Sequence, residues 1–183
     1  YEMTEQEVKA EILYNYHKNG YGSAFDPIVV SGRRSALPHA KSGSKRIQGN
    51  LLIDTGARYK GYCADVTRCI PYTEREHEIY DILKEAHNIA VGMVKPGVSY
   101  ASVEKRVREF LGEYEKNFIH SLGHGVGLCV HEHPVVSSSS RDTAKAGHVI
   151  TIEPGIYLPG KFGLRYENLY IVTENGAKLL SQG

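Results

Sequence analysis

An excess of charge of either sign is missing from this chain: 22 Lys and Arg stand against 21 Asp and Glu. No broad field therefore draws it to nucleic acid or to an anionic membrane. No apolar run approaches the roughly 20 residues that a membrane helix needs, and the opening YEMTEQEVK is polar and acidic rather than a signal sequence. The expectation is a cytoplasmic protein with neither nucleic acid nor membrane as partner. Cysteine is scarce too. Cys63, Cys69 and Cys129 are odd in number and form no CxxC pair, which argues against a disulfide framework or a thiolate zinc knot and for buried reduced thiols. What remains is a chain of 183 residues, 41% hydrophobic and 23% charged, long enough to bury one sizeable core and expected to form one compact domain.

Helix signals open the chain and recur in its middle. Thr4 with Glu7 makes a capping box, and Val8, Ile12 and Tyr16 follow at helical spacing until Gly20 and Gly22. Thr73 with Glu76 makes a second box ahead of Ile79, Ile82, Leu83, Ala86 and Ala90, a stripe ending near Lys95-Pro96-Gly97. Ser99 caps a third stretch with Val103, Val107, Phe110, Leu111 and Tyr114 on one face. Short apolar runs read as strands: 28–30, 51–57, 62–70, 149–153, 164–173 and 177–180. Ser137 to Ser140 reads as a surface loop. Helices among hairpin-like strands predict an α+β domain with a mostly antiparallel sheet.

The carboxylates carry the chemistry. If 51–70 is a hairpin turning at Tyr59-Lys60-Gly61, Asp54 falls opposite Asp65 with both side chains on one face. Like charges across a strand pair cost about 0.2 to 1 kcal/mol when exposed and more when buried, unless a cation lies between them. The alternative is that both acids face solvent. Glu153 ends an apolar strand at Pro154-Gly155, where the chain must leave the ladder and an acid can project into a site. Glu167 reads as part of a strand, sharing a face with Leu169 and Ile171, where its cheapest partner is Arg165 in a buried ion pair. Adding His124 from SLGHGVGLCVHE gives two Asp, two Glu and one His, an oxygen-rich set suited to manganese, cobalt, iron or zinc. Four carboxylates match two divalent ions in charge, and such ions about 3.5 to 4 Å apart can activate a bridging water for hydrolysis.

In that order, IDTGARYKGYCADVTR, SLGHGVGLCVHEHP, TIEPGIY and GLRYENLYIVT resemble the catalytic domain of the pita-bread metallopeptidases, which include proline dipeptidase, Xaa-Pro aminopeptidase and methionine aminopeptidase. The resemblance implies a curved antiparallel sheet with helices on its convex side, built from two halves related by a pseudo-two-fold axis. It implies that Asp54 and Asp65 bind one metal, that Asp65 continues to a second held by His124 and Glu153, and that Glu167 bridges both. The two ions would be manganese or cobalt, with zinc or iron as alternatives. SGRRSALPHA and TIEPGIY look like the proline-specific branch, in which His39 would line the substrate pocket. The whole of 1–183 would then be a single catalytic domain, shortened at its N-terminus, acting on a small proline-containing peptide as a homodimer.

The mechanism expected from this is hydrolysis of the Xaa-Pro bond, in dipeptides or at peptide N-termini, by a metal-bridging hydroxide. Glu153 would take the proton and pass it to the departing proline nitrogen, while His131 would donate to the carbonyl oxygen. His39, His120 and Arg165 complete the catalytic and substrate-binding set, Arg165 by orienting Glu167. His17, His77, His87, His133 and His148 read as surface or packing residues. Gly123, Gly125 and Gly127 would let backbone approach the metals and adopt dihedrals closed to other residues. Methionine aminopeptidase is the nearest rival. A phosphoesterase would call for more Arg and Lys around the ligands, and a non-catalytic peptide-binding member of the same fold would show damaged ligands.

Overall fold

A computed structural model describes residues 2–181. Both capping boxes form. Thr4 accepts from the Glu7 N–H, and the Glu7 carboxylate accepts from the Thr4 N–H, starting helix α1 (Glu5–Lys18). The Thr73–Glu76 box starts helix α2 (Glu74–Met93) in the same way. Ser99 occupies the N-cap position of α3 (Tyr100–Leu111) but makes no side-chain capping bond. That helix stops before Tyr114, because Gly112 turns to φ 53°, and a 3-10 turn carries residues 112–117.

Every strand pairing is antiparallel. Strands β1 (Gly22–Ser23), β4 (Ala57–Tyr59) and β5 (Tyr62–Cys63) form one small sheet; β2 (Ile28–Ser31), β3 (Leu51–Thr55) and β6 (Val66–Ile70) form a second. The largest has five strands in the order β13 (Gly176–Leu179), β12 (Asn168–Thr173), β9 (Val149–Ile152), β7 (Gly123–Gly125) and β8 (Glu132–Val136), and β10 (Gly155–Leu158) pairs with β11 (Phe162–Arg165). The apolar stripes meet here: Ile79, Leu83, Ala86 and Ala90 of α2 and Val103, Val107 and Leu111 of α3 share one buried cluster with Ile150, Ile152, Tyr170 and Val172 of the large sheet. A smaller cluster seats Val8 and Ile12 of α1 on Val29 and Leu51.

Three strands expected to be continuous are broken, and the breaks lie where the acids are. Gly56 interrupts 51–57, Ala64-Asp65 interrupts 62–70, and Tyr166-Glu167 interrupts 164–173. The hairpin turns at Lys60-Gly61, both with positive φ (49° and 89°), the pattern of a two-residue type I′ turn. That moves the register by two residues from the expected one. Asp54 pairs with Thr67, and Asp65 lies outside the ladder. At Gly56 a Cβ would collide with the Ala64 carbonyl, so the chain can pinch there only without a side chain.

The cysteine expectation is half met: Cys63 and Cys69 are buried, whereas Cys129 is exposed. No described helix is long and apolar enough to cross a membrane.

Candidate metal centre

Five segments deliver the five expected ligands to one cavity of about 370 Å³. Asp54 comes from β3, Asp65 from the break before β6, His124 from the middle of β7, Glu153 from just beyond β9, and Glu167 from just before β12. Two overlapping triples emerge, Asp54–Asp65–Glu167 and His124–Glu153–Glu167, each with one ligand atom per residue and all such atoms within 4.8 Å of one another. Glu167 belongs to both. His131 also approaches, its ring 4.2 Å from that of His124 and roughly perpendicular to it, and it forms a third triple with Asp65 and His124.

The polar contacts orient these groups. His124 Nδ1 lies 3.1 Å from the Gly125 carbonyl, which can only accept, so the proton is on Nδ1. Without metal, Nε2 then donates to Glu153 Oε1 at 3.3 Å and lies 3.6 Å from Asp65 Oδ2; with Nδ1 held by the Gly125 carbonyl, loss of the Nε2 proton leaves the lone pair that a metal-ligating imidazole needs. Arg165 departs from expectation. Its Nη2 pairs with Asp54 Oδ2 at 2.5 Å rather than with Glu167, because the break at Tyr166-Glu167 turns Glu167 off the face they were expected to share. Arg165 still acts on Glu167 through one hydroxyl. Its Nε donates to Thr67 Oγ1 at 2.9 Å, and that hydroxyl donates to Glu167 Oε2 at 2.6 Å. Arg165 Nη1 donates to the Tyr157 hydroxyl at 2.7 Å; the phenol lies 3.0 Å from His120 Nε2, and His120 Nδ1 lies 2.8 Å from the Ser121 carbonyl. Sequence reasoning missed Thr67 and Tyr157. Each sits inside a quoted motif, two residues after Asp65 and four after Glu153, but neither residue type signals its role.

The acids are electrostatically frustrated. Burial raises Asp65, the Asp54 and Glu153 carboxylates raise it further, and its pKa reaches about 8. Glu167 is pushed well above the carboxylate range by burial and then by Asp65, Glu153 and Asp54, and Asp54 is raised by burial despite Arg165. Glu153 behaves differently. Burial acts to raise it, but the hydrogen bond from His124, the His120 and His124 charges and Arg165 outweigh burial and bring it below the ordinary carboxylate value. Among the described residues Asp54 Oδ1 is buried with no hydrogen-bond partner, which normally costs about 1–3 kcal/mol. An orphaned acceptor among crowded carboxylates with a single buried guanidinium fits divalent cations held by oxygen donors and one imidazole.

His39 and His131 line the same cavity, both exposed, and Phe25, Ile28, Pro38 and Val130 give it apolar walls that nothing in the sequence reading anticipated. The three glycines around His124 do not serve unusual dihedrals, since none has a positive φ. They serve close approach: a Cβ at Gly123 would fall on the Thr151 carbonyl, one at Gly125 on the His133 carbonyl, and one at Gly127 on the Glu132 carboxylate. The neighbours they admit are protein groups of β8 and β9.

Residues 1–174 match the family model described as metallopeptidase family M24. A Xaa-Pro dipeptidase from Pyrococcus furiosus is 47% identical over 186 residues, 97% of this chain and 53% of that protein. The structure of a prolidase from Pyrococcus furiosus superposes with a TM-score of 0.96 at 44% identity, over 100% of this chain and 57% of the other. That of an X-Pro aminopeptidase from Thermotoga maritima also superposes with a TM-score of 0.96, at 42% identity, over 100% and 54%. The chain thus spans about half the length of the curated relatives it matches.

Proposed function

The chain belongs to metallopeptidase family M24 and has its pita-bread fold, and from that premise we propose that it hydrolyses the peptide bond preceding proline, in dipeptides or at peptide N-termini, with two divalent metal ions. The observation that carries this reading is the pair of ligand triples sharing Glu167. Asp54 and Asp65 would hold one ion, Asp65 would continue to a second held by His124 and Glu153, and Glu167 would be shared by both. Manganese or cobalt suits the set, with zinc or iron as alternatives. Such ions would supply Lewis acidity and lower the pKa of a bound water.

The rest of the reaction falls to the chain's own side chains. Glu153, kept ionised by His124, His120 and Arg165, accepts a proton from the attacking water and delivers it to the departing proline nitrogen, a poor leaving group until protonated. His131, exposed on the cavity wall, has its pKa lowered by partial desolvation and by the neighbouring His124, which favours the neutral ring whose N–H can donate to the carbonyl oxygen as negative charge grows there. His39 faces the substrate from the loop carrying SGRRSALPHA. His120 and Arg165 complete the substrate side, each tied to the Tyr157 hydroxyl. In this reading the protein works on small proline-containing peptides as a homodimer, and the proline-directed specificity is supported by the names of the matched dipeptidase, prolidase and aminopeptidase.

The test strips the protein of metal, restores manganese, cobalt or zinc, and assays Xaa-Pro dipeptides beside Xaa-Pro tripeptides and methionyl peptides. Metal-dependent release from one of the proline substrates is expected. Faster trimming of methionyl peptides would favour methionine aminopeptidase, and no metal-dependent hydrolysis of any of them would overturn the enzyme reading.

A further inference from the structure

Three consecutive residues, Tyr166, Glu167 and Asn168, span the break between β11 and β12, and one guanidinium grips all three. Arg68 Nη1 donates to the Glu167 carbonyl at 2.5 Å and to the Thr67 carbonyl at 2.9 Å. Its Nη2 donates to Asn168 Oδ1 at 2.7 Å, and its Cζ lies 5.2 Å from the Tyr166 ring centroid, over the ring. Asn168 is held in turn from behind: its Oδ1 also accepts from Ser181 Oγ at 3.1 Å, and its Nδ2 lies 3.4 Å from His87 Nε2 of α2.

Arg68 touches none of the cavity-lining carboxylates. We propose that it is a positioning residue for the metal centre, fixing the main chain on which Glu167 is mounted. A strand residue is ordinarily located by its ladder, but Glu167 precedes the first β12 pairing. Its N–H makes a long 3.3 Å bond to the Thr67 carbonyl. The planar fork of Arg68 replaces the ladder, tying the carbonyl of Glu167 and the next side chain to β6, the strand that follows Asp65. Because Glu167 is shared by both ligand triples, a small shift of its backbone disturbs both at once. A Lys at 68 has one ammonium on a flexible stem and cannot reproduce the planar fork.

The inference rests on Glu167 being a ligand, and the experiment separates the two. Metal-stripped wild type, Arg68→Met, Arg68→Lys and Glu167→Gln are titrated with manganese by calorimetry, with circular dichroism checking that each is folded at the assay temperature. Arg75→Ala, which removes an exposed α2 side chain paired with Glu78, serves as control and should bind as wild type. Arg68→Met should lose affinity about 10- to 100-fold, the range found when the partners of metal ligands are removed, and Arg68→Lys should lie between it and wild type. If Glu167→Gln binds manganese like wild type, the ligand assignment fails. If Glu167→Gln is weakened while folded Arg68→Met binds normally, Arg68 is only a structural residue and the proposal is overturned, even if its melting temperature has dropped.

Discussion

Strand pair β3–β6 supplies two aspartates to the cavity and strand pair β9–β12 two glutamates, and the two ladders treat their acids differently. In the first, Asp54 lies within the ladder opposite Thr67, and Asp65 is set off from it in the break before β6. In the second, Ile152 pairs with Asn168, so one more step would place Glu153 opposite Glu167. The step is not taken. The Glu153 N–H turns to the Leu122 carbonyl at 2.8 Å and the Glu167 N–H to the Thr67 carbonyl. Both pairs thus avoid a ladder position that would face acid against acid, and the leaving strands gather the carboxylates in the cavity instead. Cationic support is unequal as well. Glu153 has His124, His120 and Arg165 and stays ionised, whereas Asp65 is raised to about 8. Without metal, Glu153 is thus the acid that keeps its charge, and Asp65 the one that burial and its neighbours protonate.

The comparison breaks most sharply at Glu153. Glu153→Gln should lower kcat on an Xaa-Pro dipeptide by about 10³-fold, in the range for loss of a general base; wild-type turnover would mean the proton travels elsewhere. His131→Ala should cost about 10²-fold in kcat, with manganese affinity by calorimetry unchanged. If it lost metal instead, the third triple with Asp65 and His124 would be the working one.

Acidity offers a subtler probe of the aspartate side. In the metal-free protein Asp65 has a pKa of about 8 against 3.8 for the free group, so its stabilising contribution is full below 3.8 and is lost as pH rises through 8. His87, pushed by burial from 6.5 down to about 4, works oppositely: its contribution is present above 6.5 and lost as pH falls through 4. Between pH 8 and 6.5 metal-free protein should gain stability on acidification, about 2 kcal/mol of it from Asp65, with the raised Glu167, Asp54 and His124 acting in the same direction. Urea unfolding measures the gain, and Asp65→Asn should reduce it. Thr67→Val is the gentlest change. It removes the one hydroxyl joining Arg165 to Glu167 and should weaken manganese binding about tenfold.

The five residues gathered in the cavity are legible in the sequence partly because acids at strand ends and a histidine among glycines are hard to reconcile with ordinary packing, and partly because their four motifs resemble the pita-bread metallopeptidases. The geometry joining them was less so. A hairpin's register depends on which two residues form its turn, and choosing Lys60-Gly61 over the neighbouring pair moves Asp54 from Asp65 to Thr67. The direct Arg165–Glu167 ion pair weighed as an alternative gives way to Arg165–Asp54, because a strand break leaves no compositional mark in LRYEN. Strands β7, β8 and β10 escape the pattern because each is short and carries a glycine or proline, in GHG, EHPVV and GIYL. Thr67, Tyr157 and Arg68 look like ordinary polar residues until the fold sets them against Glu167 and Arg165.

Cys129 gives this architecture an experimental handle. It is the exposed one of the three thiols, in the loop two residues before His131, while Cys63 is buried and burial raises Cys69 to about 12. Since the thiolate is the reactive form, a maleimide fluorophore or spin label at neutral pH should attach with a stoichiometry of about one per chain. That label would sit on the same loop as His131 and report substrate arrival as a change in emission or line shape, with no residue replaced.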